Sequence, residues 1–586
     1  MRRLGALILL GVLLGGCGTP GQGLSSSESK SLQAERDIIS RVSGDSPNFA
    51  QMSNGTLMTV VSRDFGRGSK PGALVELYYP LYARDNLWDS YVGVTAQGKL
   101  RWAHDLRLVR QALVPDTGIA VSTFEGPGYR LTISDLVRPG RNAHVRHLSV
   151  TNTSAQPLTE LAATCYAFFT LNNLPGGDRL HYDRSSGALL QTNKGISVAL
   201  ASDRTTGAWQ CGNANQPLGS KQDARLAAEQ GRLKGSDAAE TAVTGVNGAI
   251  QQPLPDLAPG ATVELTYAIG VGSAEGEALS EARSALQTGW PALTDEEAAR
   301  WSSVLSAART PDMPAKERAV YRRAVIALTQ HEALNGATIA APTNLTPAYR
   351  LAWVRDGAIN ALTMLDLGFE GQAKHFFEFI ERMQKPSGGW AINFFPDGSS
   401  PLWDFGTNGN EHDEVGTFVW GVERVYQKTG DQGWLAARYP AVQKACSFLI
   451  SQQEPSGLLS RCRDLWELST DGTWTYTNAA GWAGLTAGAA IAERLGHPAE
   501  AATYRAAADR LHRAMETQLV ADGSFARGLR KRGLDRTSEV ANLALGSQWF
   551  GAFPETDPRM RATADWIATR LVTPMGGIKR YEGDTY

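Results

Sequence analysis

Apolar and polar positions change rhythm part-way along the chain. From about Asn48 to Ser273 the apolar residues come in short runs rich in β-branched and aromatic side chains, such as 56–62, 73–79, 130–134, 147–151 and 262–269. Gly, Pro, Asn and Asp separate the runs, as expected between strands. Many short strands with no helical interludes predict a large antiparallel sandwich. The Ala-, Gly- and Gln-rich stretch 213–245 reads as an excursion from the sheet. Residues 276–308 read as a helical linker. From Ala315 onward the period becomes helical: Val320, Ala324 and Leu328 share a face, as do Phe376, Phe377, Ile380 and Met383 before Pro386. Val415, Phe418, Val419, Val422 and Tyr426 repeat the pattern before Gly430.

The period predicts about nine helices in this half: 316–334, 356–367, 371–385, 415–429, 434–452, 479–495, 498–520, 538–545 and 557–570. Loops after the second, fourth and sixth are very short, so those helix pairs run antiparallel. Loops after the first, third, fifth and seventh are long (335–355, 386–414, 453–478 and 521–537) and leave from one end. Long loops in compact domains usually carry function, so that end is the candidate active face. This asymmetry fits an (α/α)6 toroid of inner and outer helices. A full toroid has twelve, so the fold class expected is an antiparallel β-supersandwich followed by an incomplete (α/α)6 barrel.

The start of the chain adds a targeting signal. Arg2 and Arg3 precede an apolar run, Leu4 to Leu14, too short to remain as a membrane span. Leu14-Gly15-Gly16-Cys17 then resembles a bacterial lipobox, with cleavage before Cys17 and lipid on its thiol; the alternative is an ordinary signal peptide. Domain organisation therefore reads as signal peptide 1–17, flexible tether 18–45, β-sandwich 46–274, helical linker 275–312 and barrel 313–586. The expected location is outside the cytoplasm, anchored to a bacterial membrane by lipid alone. A net charge of −2 gives no reason to expect nucleic acid or an acidic lipid surface as partner. Cys165–Cys211 and Cys446–Cys462 disulfides are open to an exported protein, as are free thiols. The nine His are scattered without zinc spacing, and no calcium-loop pattern is evident, so no cofactor is expected.

The long loops hold the chemistry. One ends in Tyr349-Arg-Leu-Ala-Trp-Val-Arg-Asp356. The next holds Gly388-Gly-Trp390, Trp403 and Asn410-Glu-His-Asp-Glu414. The next holds Arg463-Asp-Leu-Trp-Glu467, then Trp474 and Tyr476. The chain closes on Gly576-Gly-Ile-Lys-Arg-Tyr-Glu-Gly-Asp-Thr-Tyr586. Aromatic faces cover the C–H surfaces of a sugar, and Arg and Asp bind its hydroxyls. The chain has 15 Trp, enough for both core and sugar-stacking roles. Hydrolysis of a glycosidic bond further needs two carboxyl groups.

Three of these segments resemble family 15 of the glycoside hydrolases, which includes glucoamylases and glucodextranases. Gly336-Ala-Thr-Ile-Ala-Ala-Pro-Thr343 with Trp353-Val-Arg-Asp356 resembles the start of its barrel. Asp464-Leu-Trp-Glu467 with Tyr476-Thr477 resembles its general-acid loop, and Gly577 to Tyr586 its Arg-Tyr substrate loop. The resemblance implies exo-acting, inverting release of glucose from non-reducing ends of α-1,4-glucans. It implies Glu467 as general acid, Arg355, Asp356 and Arg580 as ligands of the terminal glucose, and Trp353, Trp390, Trp403 and Trp466 as pocket walls. Asp413 and Glu414 match a family Asp-Glu whose implied role is orientation. Calcium occurs in some members. Two departures stand out. Leu468 follows the acid where fungal members have a second Glu. The family's base lies in a loop after the eleventh helix, and no residue here matches it, so the expectation is a fragment or an inactive chain.

Other readings remain for the same residues. Asp356 could be a helix N-cap, Arg355 a structural ion pair, and Glu467 a solvated loop carboxylate. Asp413 and Glu414 could be first-turn residues favoured by the helix dipole. Trp434, Trp482 and Trp566 fall on helices and read as core, and Arg530-Lys531-Arg532 as a solvated turn. Rival functions are a glucodextranase acting on α-1,6-glucans, a phosphorylase of similar architecture, and a non-catalytic glycan-binding lipoprotein.

Overall fold

A computed structural model describes residues 49–62, 70–173, 177–214, 222–240, 245–342, 350–399, 411–467, 471–537 and 539–584. They form two compact units. One gathers the described residues within Ser40–Asn335 and Ile339–Arg350, the other Gly336–Thr338 and the described residues from Leu351.

The first unit is built on two antiparallel sheets, of eight and nine strands. In the larger sheet, strand Thr262–Gly272 lies between Ile196–Ser202 and Ala143–Asn152, with Leu265 opposite Leu148. In the other, Ala162–Phe168 lies between Asp89–Ala96 and Val246–Pro253. Val92 and Val94 from one sheet share a core with Ile133, Leu148, Val150 and Leu265 from the other. The nine-stranded sheet buries its second face as well, under helix Glu275–Thr288 through Ala278, Ala282 and Ala285. A Cβ on Gly270 would stand 2.1 Å from the Ala278 carbonyl oxygen, so backbone lies on backbone there. This is why strand 262–272 stops alternating after Glu264 and is buried continuously to its end.

The linker read over 276–308 is two helices, Glu275–Thr288 and Trp290–Ala307, broken at Gly289 with φ of 77°. Helix Ala315–Gln330, which the apolar period groups with the helical half, belongs with the β unit. Its Gln330 carbonyl accepts from Gln51 Nε2 at 3.0 Å and Ser53 Oγ at 2.8 Å. Polar contacts of that kind leave no trace in an apolar period. Cys165, Cys211, Cys446 and Cys462 are all buried and free, so neither candidate disulfide is formed.

The second unit holds helices α1 Val354–Leu367, α2 Glu370–Arg382, α3 His412–Thr429, α4 Gln432–Ser451, α5 Thr475–Arg494, α6 Pro498–Gln518 and α7 Pro558–Arg570. The segment read as a helix over 538–545 is a 3-10 turn, Val540–Leu545. Helices α3 and α5 are buried on nearly every side, whereas α2 and α6 bury one face. Inner and outer helices thus alternate along the chain, the arrangement of an α/α toroid. Small residues let inner helices touch: a Cβ on Gly416 of α3 would lie 2.1 Å from the Ala480 carbonyl oxygen of α5.

A repeated turn fastens the long loops. Gly336, Gly388 and Gly457 all have φ near 90° (91°, 96° and 89°). A Cβ there would lie 2.2 Å from the His375 oxygen of α2, 2.1 Å from the Lys444 oxygen of α4 and 3.1 Å from the Arg510 oxygen of α6. Only glycine meets both demands, the left-handed backbone and the close approach to an outer helix.

Candidate active site

The site is assembled from the first turns of inner helices and the loops that lead into them. Helix α1 begins at Val354 with Trp353 as its N-cap, so Arg355 and Asp356 both lie within its first turn. Asp356 is therefore not the N-cap. Its side chain is 50% exposed, at a helix end whose dipole favours a carboxylate. Arg355 is buried at that same end, where its charge is disfavoured by the dipole. Carboxylates at the start of α3 compensate it: Nη1 donates to Glu411 Oε2 at 2.7 Å and to Asp413 Oδ2 at 2.9 Å. Its Nη2 stands 3.9 Å from Glu467 Oε1.

Glu467 lies in the loop after α4. Its backbone N–H closes a turn on the Asp464 carbonyl at 2.9 Å, and its φ is 55°. A left-handed non-glycine residue costs about 1–3 kcal/mol and persists only where its surroundings hold it. One such hold is on the side chain, where Trp353 Nε1 donates to Glu467 Oε1 at 2.7 Å. The carboxyl is 27% exposed, enough to meet a ligand. Burial pushes its pKa up. The Arg355 charge and the Trp353 N–H pull it back, Asp356 adds to the rise and Arg463 opposes it, and the balance stays upward.

Behind Arg355 the carboxyls compete for one guanidinium. Burial pushes Glu411 up to about 8 and raises Asp413 and Glu414 too, the last of them far. Like charges packed around one cation cannot all ionise, so protons are retained in this cluster.

A second group adjoins Glu467 through its neighbour. The Trp466 ring lies 6.1 Å from that of Tyr581, and the Arg580 guanidinium is 5.4 Å from each. Arg580 is held by Asp584 in a two-pronged pair at 2.9 and 2.7 Å. Trp466 Nε1 donates to Glu539 Oε2 at 3.1 Å, and buried Arg527 pairs with both Glu539 and Asp464.

The structure thus brings Trp353, Arg355, Asp356 and Glu467 together, with Trp466 and Arg580 alongside. It does not bring Trp390 to them. That indole donates to the Ile380 carbonyl at 2.8 Å and its ring packs 4.7 Å from Phe418, inside the helical core. Trp403, Leu468 and Cys17 lie outside the described residues. Trp434 is buried, with its N–H on Glu378, whereas Trp482 and Trp566 are only half-buried. Glu411, Arg527 and Glu539 went unread as site residues. Glu411 had a signal, the acidic run 410–414; Arg527 and Glu539 sit in no local pattern. Among the described residues, no group of three or more His, Cys, Asp or Glu side chains is placed to hold a metal ion.

A half-exposed carboxyl with a raised pKa, a buried guanidinium and an exposed aspartate beside indole faces can bind a polyol and deliver a proton. The sequence pattern of Glycosyl hydrolases family 15 matches residues 315–387 and 434–586, which hold Trp353, Arg355, Asp356, Trp466, Glu467 and Arg580. The helical half of the chain carries the family-15 pattern. An uncharacterized glycosyl hydrolase of Methanocaldococcus jannaschii is similar to this chain at 23% identity over 530 residues, 88% of this chain and 82% of that protein. An isomaltose glucohydrolase of Kribbella flavida is 26% identical over 296 residues, 46% of this chain and 70% of its own. In fold, the chain is similar to a bacterial glucoamylase solved in complex with acarbose: TM-score 0.73 at 16% identity, over 92% of this chain and 81% of that one. The first turn of α3, with Glu411 to Glu414, falls in the interval 388–433 that the family-15 pattern skips.

Proposed function

We propose that this chain is a family-15 hydrolase that releases glucose from the non-reducing ends of α-1,4-glucans with inversion, and that Glu467 is its general acid. The observation that carries the reading is the Glu467 carboxyl: partly exposed, raised in pKa, and oriented by the Trp353 N–H. A group that protonates a leaving oxygen must hold its proton at the working pH and still reach solvent-side substrate. Arg355 and Asp356 supply hydroxyl partners for a terminal sugar, with the indoles of Trp353 and Trp466 as apolar walls. In inversion a second carboxylate activates water, about 6.5–9.5 Å from the acid. The carboxyls of Glu411, Asp413, Glu414, Asp464 and Glu539 are buried, so none of these five is that partner.

Glu467→Gln is expected to keep oligosaccharide binding while kcat on maltotriose falls by about 10²–10⁴-fold. Polarimetry or NMR of the first-formed glucose reads the stereochemistry. Unchanged turnover in the variant removes Glu467 from the mechanism, α-glucose as first product removes inversion, and binding with no sugar release at all leaves a glycan-binding protein. A second reading, α-1,6 linkages, draws on the name of the Kribbella relative. Faster glucose release from isomaltotriose than from maltotriose would favour it. The site of action in this proposal is outside the cytoplasm, with lipid on Cys17. Radiolabelled palmitate should enter the wild-type protein and not Cys17→Ala; equal labelling rules the anchor out.

A further inference from the structure

Arg527 touches the acid loop through Asp464. It follows a two-stranded hairpin, Val520–Ala521 with Ser524–Phe525, in a stretch where the 474–475 backbone also pairs: the Thr475 N–H donates to its carbonyl at 3.0 Å. Its side chain is only 3% exposed. A buried guanidinium must find polar partners, and it has two carboxyls from different segments: Nη2 to Asp464 Oδ2 at 2.7 Å, and Nε to Glu539 Oε2 at 2.9 Å. The flat face of the group lies 4.3 Å from the Tyr581 ring centroid and 5.4 Å from that of Trp474.

Each partner leads on to the site. Asp464 supplies the carbonyl that closes the turn at Glu467. Glu539 Oε2 accepts the Trp466 N–H at 3.1 Å. The Glu539 segment bridges to Tyr581 and receives the neighbouring loop, as the Val540 N–H donates to the Arg580 carbonyl at 2.9 Å. One side chain therefore ties the acid turn, the Trp466 wall and the Arg580–Tyr581 loop to a single point.

We propose that Arg527 is a positioning residue for the hydrolysis: it fixes the Asp464–Glu467 turn so that the acid carboxyl meets the leaving oxygen. The proposal rests on Glu467 being the general acid. A fork with five N–H donors can serve two carboxylates and an aromatic face at once; an ammonium on a flexible stem cannot. Losing the fork leaves the acid present with its proton, but free to drift out of line.

Two substrates separate this from a general loss of structure. Cleavage of maltotriose expels maltose, whose departing oxygen must take a proton from the acid, whereas cleavage of α-glucosyl fluoride expels fluoride, which needs almost no acid. Arg527→Lys is expected to lower kcat on maltotriose by about a hundredfold, as misplacement of about an ångström does, and to change kcat on the fluoride little. Asp464→Asn is the second variant: it removes one carboxylate while Glu539 can release its proton and balance Arg527, and the same split is expected. Melting temperature confirms folding in each. Equal losses on both substrates, or no loss, overturn the proposal. Glu467→Gln on the same pair tests the underlying reading separately. If it too loses both substrates equally, Glu467 is not the acid; if it splits them and the Arg527 variant does not, only the positioning role fails.

Discussion

Trp353→Phe isolates the hydrogen bond by which the indole lowers the proton affinity of Glu467 against the larger effect of burial. Phenylalanine keeps most of the apolar contact with Leu351, Ile392 and Phe395 and removes the N–H that Oε1 accepts at 2.7 Å. A hydrogen bond to an ionised group contributes about 1.5–3 kcal/mol. The carboxyl is 27% exposed, so water replaces part of what is lost, and the low end applies. About 1.4 kcal/mol corresponds to one pKa unit. The N–H favours the carboxylate, so its removal favours the protonated acid and raises the pKa. The alkaline limb of kcat/KM on maltotriose, which reports loss of that proton in the free enzyme, should move up by about one pH unit. The altered wall rescales its height; its position is the readout. Glu467→Gln must abolish the limb for the assignment to hold. A limb that stays put or moves down in Trp353→Phe refutes the argument, because then the indole N–H does not govern this titration.

Two further outcomes follow from burial. Gly416→Ala places a methyl 2.1 Å from the Ala480 carbonyl oxygen, where only backbone displacement can relieve it, so chemical denaturation should show about 1–3 kcal/mol of lost stability; an unchanged midpoint means α3 and α5 are further apart than described. Burial, with Asp464 adding and Arg527 opposing, pushes Glu539 up to about 8. The folded chain then holds a proton that the unfolded chain releases near pH 4.5, so stability from this group is full below about 4.5 and lost as pH rises to about 8. Glu539→Gln should flatten the fall in melting temperature over that window, and an equally steep fall in the variant excludes Glu539 as its source.

Where apolar residues do the packing, the sequence shows the element. Helices α2, α4 and α6 lie within a few residues of their expected bounds, because each buries one apolar face. The inner helices begin earlier than their apolar period. Helix α3 starts at His412 rather than 415, and α5 at Thr475 rather than 479. Their first turns, His412-Asp-Glu414 and Thr475-Tyr-Thr-Asn478, are buried yet polar: Asp413 holds Arg355, Thr475 donates to the Ala526 carbonyl and Asn478 to the Trp474 carbonyl. Trp353, Arg355, Asp356 and Glu467, singled out by the resemblance of their two loops to one family, lie next to one another in the structure. Trp390 misled, since its Gly-Gly-Trp context cannot tell an indole facing sugar from one donating to a helix carbonyl. Arg527 and Glu539 meet the acid loop through contacts 63 and 73 residues distant in sequence, and no local pattern encodes those.

The glycine turns at Gly336, Gly388 and Gly457 set how this scaffold can change. Each fixes the chain to the outer helix that follows it, so a hairpin's position is decided before the chain sets out across the mouth of the ring. Loop closure grows only slowly more costly with length, so segments beyond each fastening can lengthen, shorten or change composition at little expense to the ring. Substrate preference can then diversify in those spans while the helical frame is inherited intact.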